Sequence, residues 1–253
     1  MQSLIIAFSM FSRFPMPRAD WREENMRYVF CWFPLVGLVI GVVMAAAFAL
    51  LERLGAGSLV RAAVMTALPI LLTGGIHLDG FMDTADARSS MADRERKLEI
   101  LKDPHIGSFA VIHLAVCIVL TLGAWAAINQ MPVMLAVCAG CVLSRALSGL
   151  TAITMPGARK NGMLASFTKP SQKKTATLVL AVWSLAAVLF MAYEAPVPAL
   201  AAACGAMLAL WRYRRVAMNE FGGTTGDLAG WFLQECELFI LLAAAAVCLL
   251  IPA

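Results

Sequence analysis

Apolar residues gather along this chain into long runs parted by short polar stretches. Seven runs stand out: Val29–Leu51, Ser58–Ile76, Ile106–Ile128, Pro132–Met155, Ala176–Tyr193, Pro196–Trp211 and Gln234–Ile251. About 20 residues of helix cross a bilayer, so the pattern predicts an all-α fold, a polytopic transmembrane helical bundle of about seven spans. Pro196–Trp211 is the shortest of them. The opening run Leu4–Phe11 is too short to cross and predicts an interfacial or re-entrant segment. It lacks the basic start and small-residue cleavage site of a signal peptide. With no fixed-period repeat and no low-complexity tract, residues 1–253 read as a single integral membrane domain.

Composition agrees with lipid as the solvent. The chain is 61% hydrophobic and 14% charged, with a mean hydropathy of +0.79. Soluble domains carry about 25% charged residues. Charge placement then orients the bundle. Of the 20 Lys and Arg, all but Arg53, Arg61 and Arg145 fall in four clusters. These are Arg13 to Arg27, Arg88 to Lys102, Arg159 to Lys174, and Arg212 to Arg215. If seven spans alternate, the four clusters share one side, and the bias of basic loops makes that side cytoplasmic. The candidate site is then expected to face the cytoplasm. The net charge of +4 is therefore a topological signal. No nucleic-acid partner is expected, because no basic stripe interleaved with aromatics is present. The seven cysteines lie in or beside apolar runs and read as packing residues. Cys138-Ala-Gly-Cys141 sits mid-span without a second pair, and structural zinc takes four ligands.

Chemistry enters where the second run ends. The stretch from Gly74 to Ser90 places Asp79, Asp83 and Asp86 at spacings of four and three, with no Lys or Arg before Ala87. In a helix, about 100° per residue puts the three within roughly a 60° arc. Like charges on one face repel, and a hard cation relieves them. Mg²⁺ takes oxygen ligands and usually binds through one or two carboxylates plus substrate phosphates. Asp79, Asp83 and Asp86 are thus the candidate metal ligands, and Glu99 and Asp103 weaker ones. Asp93 to Lys102 alternates in sign and reads as a solvated face. A second polar cluster, Gly222-Gly-Thr-Thr-Gly-Asp227, suits a backbone nest for an anion or a further metal ligand. It equally suits a turn in which Asp227 caps the next helix. Arg145, ten residues inside its run, marks a functional site by its position in the membrane. An arginine that meets a diphosphate needs no buried carboxylate partner. His113 reads as a packing histidine. Together these features describe a pocket for a phosphorylated substrate and Mg²⁺.

The chain also resembles the cobalamin synthase family, the adenosylcobinamide-GDP ribazoletransferases. The resemblance rests on Phe11-Ser-Arg-Phe-Pro-Met-Pro17, Phe33-Pro-Leu-Val-Gly37, Gly74-Gly-Ile-His-Leu-Asp-Gly80 and Asp83-Thr-Ala-Asp86. It continues through Lys97-Leu-Glu-Ile-Leu-Lys-Asp103, Ile106-Gly107, Ser144-Arg145 and the Gly222–Asp227 cluster. Ala87 stands where the family pattern usually has Gly, Ser12 where Thr is common, and His105 where Ser is common.

The resemblance implies a Mg²⁺-dependent transfer of α-ribazole or its 5′-phosphate onto adenosylcobinamide-GDP. GMP leaves, and a free nucleoside hydroxyl is the natural attacker. On this reading Asp83, Asp227 and Arg145 are catalytic, with Arg145 neutralising charge. His77, Lys102, Arg159, Gly222, Gly223 and Thr224 hold substrate. Partners are the two substrates and the lipid bilayer, with room for other cobalamin-pathway enzymes and for self-association. One alternative is a membrane phosphotransferase of the CDP-alcohol type, whose D-G-x-x-A-R pattern lacks its Ala-Arg pair here. The other is an ion-coupled transporter, whose coupling sites lie near the midplane among repeated broken helices.

Overall fold

The computed structural model describes every residue except Lys160, Pro252 and Ala253. Lys160, counted above with the third basic cluster, lies outside the described residues. Among those described there are twelve α-helices and no strand. Five are long and apolar enough to cross a membrane. They are α3 (Val29–Arg53), α7 (Ser108–Ala127), α8 (Met131–Thr154), α10 (Lys173–Glu194) and α12 (Gly226–Leu250).

The sixth crossing is a broken one. The second apolar run ends at Thr73 rather than Ile76, because Gly74 and Gly75 both adopt left-handed backbone, with φ of 68° and 77°. Glycine enters that region without the Cβ penalty other residues meet. The chain therefore turns by 95° between α4 (Ser58–Thr73) and α5 (Ile76–Ser89).

Of the roughly seven expected spans, five, or six with the bent pair, are long and apolar enough to cross by themselves. The shortest run becomes α11 (Pro196–Val216), whose 21 residues end in Arg212, Arg214 and Arg215. It is long enough to cross but not apolar enough to count with the five. The last helix starts eight residues before its apolar run, at Gly226. Thr225 caps it there, its hydroxyl accepting the Leu228 amide at 3.1 Å. The opening segment is the short helix α1 (Gln2–Phe11).

Helix α8 is the centre of the bundle, with 83% of its most apolar window buried. It packs against α3, α10 and α12, while α12 also packs against α11, α5 and α7. The four basic clusters meet at one end. The Gln172 amide donates to Arg27 O at 3.1 Å, and Ala158 N donates to Thr224 O at 2.9 Å. Arg88 pairs with Glu220 at 3.1 Å across the same end. The opposite end is tied by Arg61, which donates to Asn129 Oδ1 at 2.9 Å.

Candidate active site

Helix α5 carries the aspartates, and α12 supplies a fourth. Gly80 lets the two helices touch. A Cβ there would stand 2.6 Å from the Asp227 carbonyl oxygen and 3.0 Å from its Cα. Any larger residue would push Asp227 away from Asp79 and Asp83. The cluster is electrostatically unbalanced. Asp83 is half-buried among the like charges of Asp79, Asp227 and Asp86. A cation would relieve the same repulsion.

Asp86 is engaged differently from its two neighbours. Its carboxylate accepts the Gly107 amide at 2.6 Å and the Ala110 amide at 2.8 Å. These amides belong to the N-terminus of α7, where orphan N–H groups and the helix dipole favour an anion. Asp86 therefore ties α5 to α7, a role the four-and-three spacing does not reveal. Glu99 pairs with Arg96 at 2.8 Å, and Asp103 accepts the His105 amide at 3.0 Å, both in exposed positions. Asp93 caps the short helix α6 (Arg94–Ile100) through the Arg96 amide at 2.9 Å.

Beside the carboxylates lies a cleft of about 490 Å³. Asp79 and Asp227 line it together with Arg159, Lys169, Lys173 and Thr224. Arg159 donates to Leu98 O, and its buried Nε has no partner. His77 is buried between Phe11 and Phe33, and its Nε2 is likewise unpartnered. Of the other substrate candidates, Lys102 is exposed and Gly223 buried, and neither they nor Gly222 line the cleft.

Two amides of the Gly-Thr loop are spent on carbonyls: Gly223 N donates to Ala217 O at 2.9 Å and Thr224 N to Pro156 O at 2.8 Å. The Thr224 hydroxyl in turn hydrogen bonds with that of Tyr213.

Arg145 departs most from expectation. It is 1% exposed, and Nη1 donates to Glu237 Oε1 at 2.6 Å and to Cys141 O at 2.9 Å. Ser144 donates to the same Glu237 oxygen at 2.9 Å. The pair borders a separate inner cavity of about 60 Å³ between α4, α5, α7, α8 and α12. An unpaired guanidinium there would cost several kcal/mol, so the carboxylate partner is what allows the arginine to be buried. Arg145 does not line the substrate-sized cleft; only His77 borders both spaces. His113 is exposed on α7 rather than packed, its Nδ1 bonded to Phe109 O at 2.8 Å.

Sequence reasoning passed over Glu220. It sits in a π-helical turn, Ala217–Phe221, just before the Gly-Thr loop. Arg88 meets it through Nε and Nη2 at 3.1 to 3.3 Å, and Lys97 at 2.8 Å. The Arg88 guanidinium also lies 5.2 Å from the Trp231 ring centroid. These contacts dock α5 and α6 onto the loop that leads to Asp227. The available signal was an acid beside Gly222-Gly223 with two unassigned cations after the aspartates. Glu237 also had one: an acid in an apolar helix whose chain holds one intramembrane arginine.

Residues 3–245 match the family described as Cobalamin-5-phosphate synthase. The chain belongs to that family. An adenosylcobinamide-GDP ribazoletransferase of Lachnoclostridium phytofermentans is 42% identical over 96% of this chain and 93% of its own length. Proteins of the same name are 30% identical in Clostridium botulinum strain Alaska E43, over 96% of both chains, and 37% identical in Bradyrhizobium diazoefficiens, over 84% of this chain and 81% of the relative. No solved structure matches the chain. Membership supports neither the CDP-alcohol-type nor the transporter reading.

Proposed function

We propose that this chain transfers α-ribazole, or its 5′-phosphate, onto adenosylcobinamide-GDP with release of GMP, a late step of cobalamin assembly, and that Mg²⁺ assists it. The family membership and the relatives' shared name support the reaction. The observation that carries the site is the close packing of α5 on the start of α12 at Gly80, which leaves Asp79 and Asp227 at the wall of a cleft lined by Arg159, Lys169 and Lys173, with Asp83 within reach of the charges of both.

The bonds exchanged follow from the substrates. A ribose hydroxyl attacks the phosphorus that carries the cobinamide, forming a new P–O bond. The bridging P–O bond of the diphosphate breaks, GMP leaves with the bridging oxygen, and the hydroxyl proton is released. A product that keeps its 5-phosphate requires the attacking oxygen to be a ribose hydroxyl other than the 5′ one.

Such transfers need positioning and charge neutralisation more than covalent help. Arg159, Lys169 and Lys173 supply positive charge along the cleft, and the unpartnered His77 Nε2 offers a hydrogen bond at its inner wall. Among the described residues no three His, Cys, Asp or Glu side chains converge to hold a metal by themselves. The oxygen-only donors fit Mg²⁺ shared with substrate phosphates, its usual mode. Asp79, Asp83 and Asp227 would hold it, while Asp86 stays on α7. A bound Mg²⁺ would supply charge neutralisation at the diphosphate.

The gathering of the basic loops at the cleft end supports a site facing the cytoplasm of a bacterial inner membrane. Protein purified into lipid and given adenosylcobinamide-GDP, α-ribazole and Mg²⁺ should release one GMP per nucleoside consumed. A folded preparation that releases none overturns the assignment.

A further inference from the structure

A second cavity, of about 480 Å³, also reaches Asp79. It is walled by Ser9, Ser12 and Arg13 from the first segment and by Thr73, Leu78 and Met82 from α4 and α5. Met10, Ile76 and Asp79 line both this groove and the diphosphate-sized cleft. The two spaces therefore share one wall, and Asp79 stands in it. Phosphoryl transfer places attacking and leaving oxygens roughly in line across the phosphorus. An enzyme for that reaction needs two approaches to one point, and the structure has two.

The groove's chemistry differs from the cleft's. Among the described residues three cations line the cleft, whereas the groove has one, Arg13, lying directly against Gly74. The Ser12 hydroxyl donates to Phe8 O at 2.6 Å and the Thr73 hydroxyl to Pro69 O at 2.8 Å. With their protons committed these oxygens can only accept, that of Thr73 already taking the Gly75 amide at 3.3 Å and that of Ser12 being on a buried residue, which suits ribose O–H donors better than an anion. Leu78 and the adaptable thioethers of Met10 and Met82 suit a flat apolar base. No heavy atom lies within 4 Å of where a Cβ of Gly75 would stand, so the floor is open.

We propose that this groove is the acceptor subsite, which takes the nucleoside and brings its hydroxyl to Asp79 by the approach the diphosphate does not use, with Arg13 meeting the 5′-phosphate when the acceptor carries one. The proposal rests on the transferase reading above. It gives the Phe11–Pro17 motif a task and makes Arg13 the residue that sets preference between α-ribazole and its 5′-phosphate.

Steady-state kinetics in lipid test it, with each substrate varied in turn. Ser9 is exposed and lines only the groove. Ser9→Trp should raise KM for α-ribazole about tenfold or more and leave KM for adenosylcobinamide-GDP within about twofold. Arg13→Ala should raise KM for α-ribazole 5′-phosphate about tenfold, change KM for α-ribazole by less than about twofold, and be largely restored in Arg13→Lys. Lys169→Ala should act on KM for adenosylcobinamide-GDP instead. If Ser9→Trp raises KM for adenosylcobinamide-GDP, or leaves both constants unchanged, the groove is not the acceptor subsite. An equal effect of Arg13→Ala on both nucleosides overturns its role as phosphate selector. Wild-type protein that releases no GMP would overturn the transferase reading itself, and the subsite with it.

Discussion

Asp83 and Asp86 are three residues apart on one helix; Asp86 is held by two backbone amides while the proposal gives Asp83 a cation, and changing each to Asn separates the two roles. Asp83→Asn keeps volume and hydrogen-bonding capacity but removes the charge that would hold a cation. Losing a contact used in the transition state should lower GMP release by about a hundredfold or more, equivalent to about 2.7 kcal/mol. Stability should hold or rise, because Asp83 is repelled by Asp79, Asp227 and Asp86.

Asp86→Asn should do the reverse. Asn keeps one acceptor where Asp86 uses both, at 2.6 and 2.8 Å. One charge-assisted bond is lost, about 1.5–3 kcal/mol, with about 0.3–1 kcal/mol of helix-dipole stabilisation. Thermal unfolding, followed by tryptophan fluorescence in detergent, should fall by about 5–10 °C, at about 2–4 °C per kcal/mol. Turnover below the transition should drop less than about tenfold. Gly107→Ala gives an independent check, since its Cβ would stand 2.5 Å from Asp86 Oδ2 and should reproduce the Asp86→Asn behaviour. If Asp86→Asn abolishes turnover as fully as Asp83→Asn with an unchanged transition, Asp86 is a metal ligand and not an anchor.

The buried Arg145–Glu237 pair gives a second test: Glu237→Leu alone should destabilise by about 3–5 kcal/mol, and adding Arg145→Met should recover most of it. Thermal unfolding reads both, and a double variant as damaged as the summed singles would refute the pairing. Excess chelator should stop GMP release, and Mg²⁺ or Mn²⁺ should restore it where Ca²⁺ supports binding more readily than turnover, given the tighter octahedral demand of Mg²⁺; full turnover in chelator would sink the metal reading. Burial would raise the Glu220 carboxyl, but Lys97 and Arg88 hold it below its ordinary 4.5. Its contribution to stability is thus complete above about pH 4.5 and lost as pH falls through the lower folded value. Glu220→Gln should flatten that acid limb of a pH–stability curve, and an unchanged limb would assign it to other carboxylates.

Hydrophobic runs told most of the fold, because lipid forces backbone hydrogen bonds into helices whatever the side chains. They misplaced the ends. Ser58–Ile76 looked like one span because Ile76 is apolar, yet two left-handed glycines stop the helix at Thr73. Gln234 looked like a helix start because residues 226–233 are mixed, yet Thr225 caps a helix eight residues earlier. At the site, Asp79, Asp83 and Asp86 were legible as clustered oxygens with no cation between them, and Asp227 as a further candidate in the Gly-Thr loop. The anchoring of Asp86 was not, because its partners are backbone amides some 20 residues away, and amides leave no mark in a pattern of side chains. Arg145 was visible as an anomaly, but its partner Glu237 is 92 residues distant, and only packing of α8 on α12 joins them.

The glycine corner between α4 and α5 has a consequence for the lipid. Sixteen residues of helix rise about 24 Å, short of the roughly 30 Å of hydrocarbon in a typical bilayer. The acidic helix therefore turns aside while still several ångströms beneath the plane where an unbroken span would emerge. Mismatch of this kind costs fractions of a kcal/mol per ångström and is met by local thinning. Acyl-chain length should then be a parameter of the reaction: longer lipids would draw the carboxylates toward hydrocarbon, and shorter ones would lift them toward water.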